Sequence, residues 1–464
     1  MTARTTARAR PATWLELIGR ALARLAPAPA RAVRAVRGVL ARQRATTPGL
    51  LQILSGLILL LAVAVWVSAT AVVSSAHRTT TAMAEETAPA IVAAGRAQTY
   101  LASADAAHAY HTARRDARAT TLDQPYLYAR KLGVKELGQA IANNTAGSWG
   151  ASLLRSAEKS LSGYARLPYV SHFMHNPESG ILHDIGRARI LNRNAFIGQQ
   201  SSAWLSPAVL VLVLVPAVGL LVLLIRTQLF LRRRFRRRLS LPLLTATGLV
   251  VALSGWTVGQ VWHTQSELED AGRSLSRITR LLQAQTLVAE AYAAELRALS
   301  AGPDQWFGQR TKALMETPLT EPVAPAVGTG HQYGNITTAE IDVGKIVYSS
   351  DLPTATKEGD LIAAVRQDFE EFTQVDIALD ESVQRDGNQL DDVTKRLHDS
   401  ALQLRDSLSQ LIAAERERFE ASMRSATSRL GLGVGVPLLA LGIIAGTLAG
   451  VAPRLNEYHG WQDA

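Results

Sequence analysis

The chain has 464 residues, of which 47% are hydrophobic, a net charge of +10 and no cysteine. The lack of cysteine excludes disulfides and all thiolate chemistry. The charge is concentrated in arginine-rich segments beside apolar stretches, so it reports orientation in a membrane and does not indicate a nucleic-acid partner.

Four apolar stretches are long enough to cross a bilayer, since each exceeds the roughly 18 residues that a hydrocarbon core requires. They predict transmembrane helices at 50–75, 207–231, 241–263 and 431–452. A basic arm, 1–48, precedes the first stretch and has ten arginines against one acid, Glu16.

The second and third stretches are joined by a basic turn, 232–240. Short basic segments stay on the cytoplasmic side, so the arm, the turn and the tail 453–464 are expected inside the cell, in contact with membrane lipids. A turn held at the head groups offers no face to a DNA groove, which excludes nucleic acid as a partner. The arginines that set this topology are Arg232, Arg233, Arg234, Arg236, Arg237 and Arg238.

The same topology places two large segments outside a bacterial cell membrane. Residues 78–204 have 14 basic and nine acidic side chains, whereas 264–430 have 17 basic and 27 acidic ones. Opposite net charges favour contact between the two segments, or between the acidic one and an external basic partner. We predict an all-α integral membrane protein with four transmembrane helices and two extracytoplasmic helical-bundle domains.

The second large segment begins with a heptad pattern typical of coiled coils. Between its helices, YGNITTAEIDVGKIVYSS alternates partially, which favours a short β-hairpin that is either a binding surface or a plain surface loop. The heptad positions are Leu268, Leu275, Leu282, Ala289 and Leu296, with Ala271, Ile278, Gln285, Tyr292 and Leu299 between them.

Small residues spaced four apart occur in the third and fourth apolar stretches. Such spacing lets helix backbones approach closely in lipid, within one chain or in a homodimer. The alternative is that glycine is simply common in membrane helices. The predicted packing residues are Gly255, Gly259, Gly442, Gly446 and Gly450.

No motif for catalysis or for a cofactor is present, and the chain is expected not to be an enzyme. Histidines give one candidate metal site, formed by His108, His111, His172 and His175, because imidazoles on neighbouring helices can hold zinc or copper. The alternative is that these are ordinary polar side chains.

A ligand pocket between the helices of the first large segment is a second candidate site. Polar groups that could hold a ligand such as a carboxylate are Tyr100, Asp105, Arg114, Arg187 and Arg189. The alternative is that they lie on solvated helix faces.

Two stretches carry a family resemblance. AQTYLASADAAHAY, residues 97–110, resembles the first helix of chemoreceptor-type four-helix sensory modules, and residues 369–420 are similar to the second outer domain of GlnX-like four-pass bacterial membrane proteins. The resemblance implies a protein that links an extracytoplasmic lipoprotein binding acidic amino acids to the cytoplasmic protein kinase G.

These features predict a non-enzymatic transmembrane sensor. It would relay the binding of a ligand, or of a solute-binding lipoprotein, to a cytoplasmic partner such as a serine/threonine kinase. The alternative function is an envelope scaffold or an accessory subunit of a transporter.

Overall fold

A computed structural model describes residues 47–113, 124–164, 174, 180–200, 207–235, 241–300, 343–344, 346–348, 356–385, 390–430 and 435–459. This part of the chain is essentially all helical and contains no strand, which confirms the predicted all-α class. The helices are α1 (Thr47–Ala82), α2 (Ala88–Ala113), α3 (Gln124–Ala142), α4 (Gly147–Tyr164), α5 (Ile181–Gln200), α6 (Pro207–Phe235), α7 (Leu241–Ser300), α8 (Thr356–Arg385), α9 (Leu390–Leu430) and α10 (Gly435–His459).

The predicted hairpin is wrong for the residues of it that are described. Residues 343–344 and 346–347 are helical, and the backbone N–H of Tyr348 donates to the carbonyl of Gly344 at 2.9 Å. Val343 and Val347 are buried in the helical core, so tertiary packing decides the conformation of these β-branched residues.

Three helices are long and apolar enough to cross a membrane: Ile53–Ala113, Val213–Phe230 and Leu241–Ser300. The fourth predicted crossing contains a shorter apolar helix, Pro437–Gly450, within its described part. Helix α6 continues to Phe235 and so includes the backbone of Arg232, Arg233 and Arg234. The arm 1–46, Arg236, Arg237, Arg238 and the tail 460–464 lie outside the described residues.

The first of two compact units, here called the apolar unit, comprises residues 47–70, 211–257 and 435–459. Its interior is aliphatic, with Ile58, Leu220 and Leu253 fully or almost fully buried. Its surface is aliphatic as well, and Leu60 and Val215 are each 64% exposed. An apolar surface around an apolar core is what a lipid environment demands.

Glycines let α10 approach α7 closely within the apolar unit. A Cβ added at Gly446 would lie 3.0 Å from the carbonyl oxygen of Pro242, and one at Gly450 would lie 2.8 Å from Leu243. Gly442 has a similar contact, 3.0 Å from Leu249. By contrast, a Cβ at Gly255 or Gly259 would meet nothing within 4 Å in the described structure.

A polar tie fixes the neighbouring helix pair. The side-chain amide of Gln228 on α6 donates to the carbonyl of Leu243 and contacts the hydroxyl of Thr247, both at 3.0 Å. A hydrogen bond of this kind within an apolar environment holds two helices in a defined register.

We predict that Gly446→Val loosens the apolar unit, because the new side chain meets backbone atoms that cannot move aside. The expected cost is about 1–3 kcal/mol, seen as a lower midpoint of thermal unfolding in detergent. Gly255→Val is the matched control, since open space surrounds that position. Equal losses in the two variants would contradict close packing at Gly446.

The second unit, here called the bundle unit, combines the described parts of 71–210 and 258–433. The two segments that the sequence predicted as separate domains therefore form one compact unit. At its centre, α2 and α7 lie side by side. Thr99 contacts Thr286 at 3.1 Å, and a Cβ added at Gly95 would lie 2.8 Å from Leu282. The same sequence offset of 187 in both contacts shows that the two helices run parallel.

Alanine explains how α2 can be buried on nearly every face. Small side chains leave room for neighbours on all sides, so α2 contributes to both cores of the bundle unit. Its buried alanines are Ala88, Ala90, Ala93, Ala94, Ala97, Ala102, Ala104, Ala106 and Ala109.

Helices α3, α4 and α5 form one flank. Leu101 lies against Gly133 and His108 against Tyr126, so α3 runs antiparallel to α2. Gln98 bonds to the carbonyl of Leu182, and Thr87, just before α2, bonds to Gln199, so α5 is antiparallel to α2 as well. The turn from α3 to α4 is fixed by buried Asn192 on α5, whose amide oxygen accepts from the backbone N–H groups of residues 145 and 146.

Helices α8 and α9 form the other flank. Arg277 pairs with Glu415 at 3.4 Å and Tyr292 contacts His398 at 2.8 Å, so α9 runs antiparallel to α7. Asp368 on α8 accepts from Gln403 on α9 at 2.6 Å. The predicted heptad positions on α7 from Leu268 to Leu296 are all buried, some against α9 and others, such as Leu282, against α2.

A π-helical turn, Met83–Thr87, joins α1 to α2 without interrupting the helix. Met83 and Thr87 are fully buried, and the Thr87 hydroxyl donates to the side-chain oxygen of Gln199 at 2.9 Å. Wide turns of this type occur frequently at functional positions of long helices.

Candidate functional site

A cavity of about 1090 Å³ lies within the bundle unit, between α2, α3, α7 and α9. It exists because α9 packs on α7 and α3 packs on α2, while α2 and α9 meet at one end, through Tyr110 and His398. This volume is close to the upper limit of about 1000 Å³ for ligand pockets. The cavity is therefore the main candidate site in the described structure.

The floor of the cavity is one face of α7. It consists of Leu282, Gln285, the adjacent pair Val288 and Ala289, and Tyr292, which recur at intervals of three or four residues and so share a helix face. The Gln285 amide nitrogen is already used, since it donates to the carbonyl of Arg405 at 3.0 Å and to the hydroxyl of Ser409 at 2.8 Å.

One end of the cavity is aromatic. The ring of His398 stacks on Tyr110 with centroids 4.4 Å apart, and its Nδ1 shares a 2.8 Å hydrogen bond with the Tyr292 hydroxyl. Tyr128 on α3 also lines the cavity. This cluster joins α2, α7 and α9 at one level of the bundle.

Burial raises the pKa of Tyr292 well above its usual range, and the neighbouring Tyr110 and Asp399 raise it further. Tyr292 lies on the C-terminal part of α7, outside the apolar, membrane-compatible stretch 241–263. Its phenol therefore stays neutral at physiological pH and can donate a hydrogen bond to His398.

Charged side chains surround the opposite end of the cavity. Arg416 pairs with Glu420 at 2.8 Å, and Arg405 lies 3.9 Å from Asp406. Arg96 on α2 lines the same end and makes no ion pair among the described residues. Both signs of charge are therefore present, with one arginine available to a bound anion.

A buried ion pair ties α2 to α7 outside the cavity. Asp105 is 3% exposed, and its carboxylate accepts from the guanidinium of Arg297 at 2.9 Å. Arg297 also donates to the carbonyl of Ala293 at 3.1 Å. Here the acid comes from the positively charged segment, so this contact does not follow from the net charges of the two segments.

We predict that Asp105→Ala destabilises the bundle unit by about 3 kcal/mol, because it leaves the Arg297 guanidinium without its carboxylate. Thermal unfolding of the full chain measures the loss. Asp105→Ala combined with Arg297→Met should recover part of it, since the unpaired charge is then absent.

Asp270→Ala, which breaks an exposed ion pair with Arg273, is the matched control and should cost less than about 0.5 kcal/mol. If Asp105→Ala behaved like this control, the buried pair would not hold α2 to α7.

The structure separates the four predicted ligand-binding residues that it describes. Tyr100 lines the cavity, whereas Asp105 is engaged in the ion pair. Arg187 is exposed and Arg189 is buried two residues later, so the two side chains point to different faces of α5 and do not grip one carboxylate together. Arg114 lies outside the described residues.

Arg189 is an unusual buried cation. It is 8% exposed, and its Nη1 has no hydrogen-bond partner among the residues that the structure describes. Burial lowers the pKa of Arg189 to about 10, with a further contribution from Arg193. Below pH 10 the guanidinium remains charged, so the cost of its burial is fully present at neutral pH and falls only as the pH rises through 10.

We predict that Arg189→Met raises the stability of the bundle unit by about 2 kcal/mol, since a buried charge is replaced by an apolar chain of similar length. The measurement is the midpoint of thermal unfolding at pH 7. The control is Arg187→Met at the exposed neighbour, which should change stability by less than about 0.5 kcal/mol. A lower unfolding midpoint for Arg189→Met would show that the guanidinium is satisfied in the folded protein.

The predicted metal-binding histidines are only partly described. His108 is exposed with its ring 5.9 Å from that of Tyr126, and His111 lines the cavity. His172 and His175 lie outside the described residues. Within the part of the chain that the structure describes, no three His, Asp or Glu side chains group as a metal site.

Sequence reasoning missed most of the cavity. Gln285 and Tyr292 occupy core heptad positions, where polar and bulky aromatic groups are unusual, and that was the available signal. Tyr110 lies on α2, and His398 and Arg405 lie on α9. Local sequence patterns do not show that these two helices come together in the fold.

Comparisons of the chain with protein-family models, curated proteins and solved structures found no match. The resemblance to GlnX-like proteins therefore stays a prediction.

Proposed function

We propose that this chain is a non-enzymatic transmembrane sensor, in which a ligand in the cavity, or a solute-binding lipoprotein docked on the bundle unit, signals to a cytoplasmic partner such as a serine/threonine kinase. The observation that supports this proposal best is helix continuity. Helices α2 and α7 both line the cavity, and each belongs to one unbroken helix that includes an apolar, membrane-compatible stretch.

Continuity provides a physical route for a signal. A ligand shifts an equilibrium only as far as it binds one state better than the other. A molecule between α2 and α9 would favour the state with the better-fitting spacing, and a helix moves over its length largely as a rigid body. Displacement of α2 relative to α7 would therefore reach α1 and the first half of α7.

The α2–α7 contact restricts the form of this movement. At Gly95 the two helices are so close that an added Cβ would overlap Leu282, and Thr99 is hydrogen-bonded to the carbonyl of Leu282 at 3.2 Å. Separation of the helices would break these contacts. Sliding or rotation of α2 along α7 is the movement that retains most of the burial.

A distance measurement in the full chain tests the relay, and the absence of native cysteine allows clean spin labelling. One variant carries labels at Thr112→Cys and Lys395→Cys, which are exposed on α2 and α9 and do not line the cavity. The second carries them at Leu60→Cys and Val251→Cys on α1 and α7, where both side chains are exposed in the apolar unit. Glutamate, aspartate and oleate are the probes, and thermal shift of the unlabelled chain in nanodiscs selects those that bind.

We predict that a probe that raises the unfolding temperature changes the distance distribution of both label pairs. A non-binding probe is the negative control. If a binding probe leaves the pair in the apolar unit unchanged, the chain binds without relaying, and the scaffold or transporter-accessory function would be preferred.

A further inference from the structure

We infer that the cavity binds the apolar chain of an anionic amphiphile, with the head group at the charged end. The inference deepens the proposed function by naming the ligand class, and it rests on the proposed role of this cavity as the ligand site. Length, width and the state of the interior polar groups lead to it.

The cavity is long. Its lining extends along α2 from Arg96 to His111, about 22 Å at the rise of an α-helix, and along α7 from Leu282 to Tyr292, about 15 Å. A free amino acid would occupy a small part of this length. One acyl chain of a lipid spans half of the hydrocarbon core of a bilayer, about 15 Å, which matches the length of this cavity.

The cavity is also narrow. A volume of about 1090 Å³ over a length of about 20 Å gives a mean cross-section of roughly 50 Å². A space of this cross-section holds one or two extended hydrocarbon chains.

The polar groups at the contact of the cavity floor with α2 and α9 already have partners. The Gln285 amide is bonded to Arg405 and Ser409, the Thr99 hydroxyl to Thr286 and the carbonyl of Leu282, and Tyr292 to His398. These groups are therefore not free to bind a solute, and the free hydroxyls among the described lining residues are those of Tyr100, Ser103 and Tyr128 on α2 and α3. Most of the remaining wall is apolar, so contact with hydrocarbon is the favourable interaction.

The head group is assigned by Arg96. At the charged end, Arg416 and Arg405 have acidic neighbours in Glu420 and Asp406, but Arg96 makes no ion pair in the described structure. A carboxylate or phosphate beside Arg96 would gain a charge-assisted hydrogen bond. The hydrocarbon then extends toward Tyr110 and Tyr128. A free fatty acid and an anionic phospholipid share this chemistry.

Photolabelling of the full chain in nanodiscs tests the inference and distinguishes the two sources. One arm uses a fatty acid with a diazirine in its chain, and the other uses an anionic phospholipid with the same group. Labelled peptides are mapped by mass spectrometry. Labels on the exposed apolar faces of α1 and α6 are expected in every sample and serve as the internal standard.

We expect peptides of α2 and α9 that line the cavity to be labelled in at least one arm, and that arm identifies the source. Ala107→Trp and Leu402→Trp fill the space from opposite sides and should each reduce this labelling at least five-fold relative to α1. Ala142→Trp, at an exposed position away from the cavity, is the matched control and should leave it unchanged. Two filling variants protect the test against failure of either one to fold.

Arg96→Gln should reduce labelling by the anionic fatty acid about ten-fold and leave labelling by its neutral methyl ester unchanged. Labelling of α2 and α9 that persists in both tryptophan variants would overturn the inference. So would a covalent adduct with a protein, instead of a lipid, when benzoylphenylalanine replaces Tyr100.

The photolabelling test of the lipid site and the spin-label test of the sensor function can fail separately. If the tryptophan variants lose labelling but spin-label distances do not respond to oleate, the lipid site stands and the sensor function fails. If distances respond to an amino acid and no lipid labels the cavity, the sensor function stands and the lipid site fails.

Discussion

The close parallel contact between α2 and α7 is the constraint on which the bundle unit depends. Glycine at position 95 and threonine at position 99 let the two backbones come together, and the threonine hydroxyl bonds to the backbone of the other helix. Both helices are then surrounded, α2 by α3, α4 and α5 and α7 by α9 with α5. The two large segments are separated in sequence by two apolar stretches, and this contact joins them into the single bundle unit.

This central pair also accounts for the cavity. Helices α3 and α9 each pack on a different member of the pair, and α2 meets α9 at the aromatic end, where Tyr110 stacks on His398. Gln285 and Tyr292 bond to α9 and Thr99 bonds within the central pair, which leaves a largely apolar passage with aromatic and charged ends. A candidate site thus results from helix spacing, without any sequence motif.

Much of the fold was predictable from residue patterns. Hydropathy indicated the apolar stretches, and the heptad from Leu268 to Leu296 identified the buried face of α7. The pattern failed where tertiary packing overrides propensity, as at Val343 and Val347, which alternate like a strand but are helical. It also could not show that the two large segments share a core, because an alanine-rich helix such as α2 has no single apolar face. The candidate site was less predictable: Tyr100 was identified, but Tyr110 and His398 meet only through long-range packing.

The π-helical turn at Met83–Thr87 has a consequence for how this chain can evolve. A turn that holds an additional residue changes the angular phase of everything after it, by about 100° for each residue gained or lost. The residues that face lipid on α1 and the residues that are buried on α2 therefore do not have to follow the same 3.6-residue pattern. Substitutions can accumulate on either side of this turn under separate demands, while the backbone stays continuous.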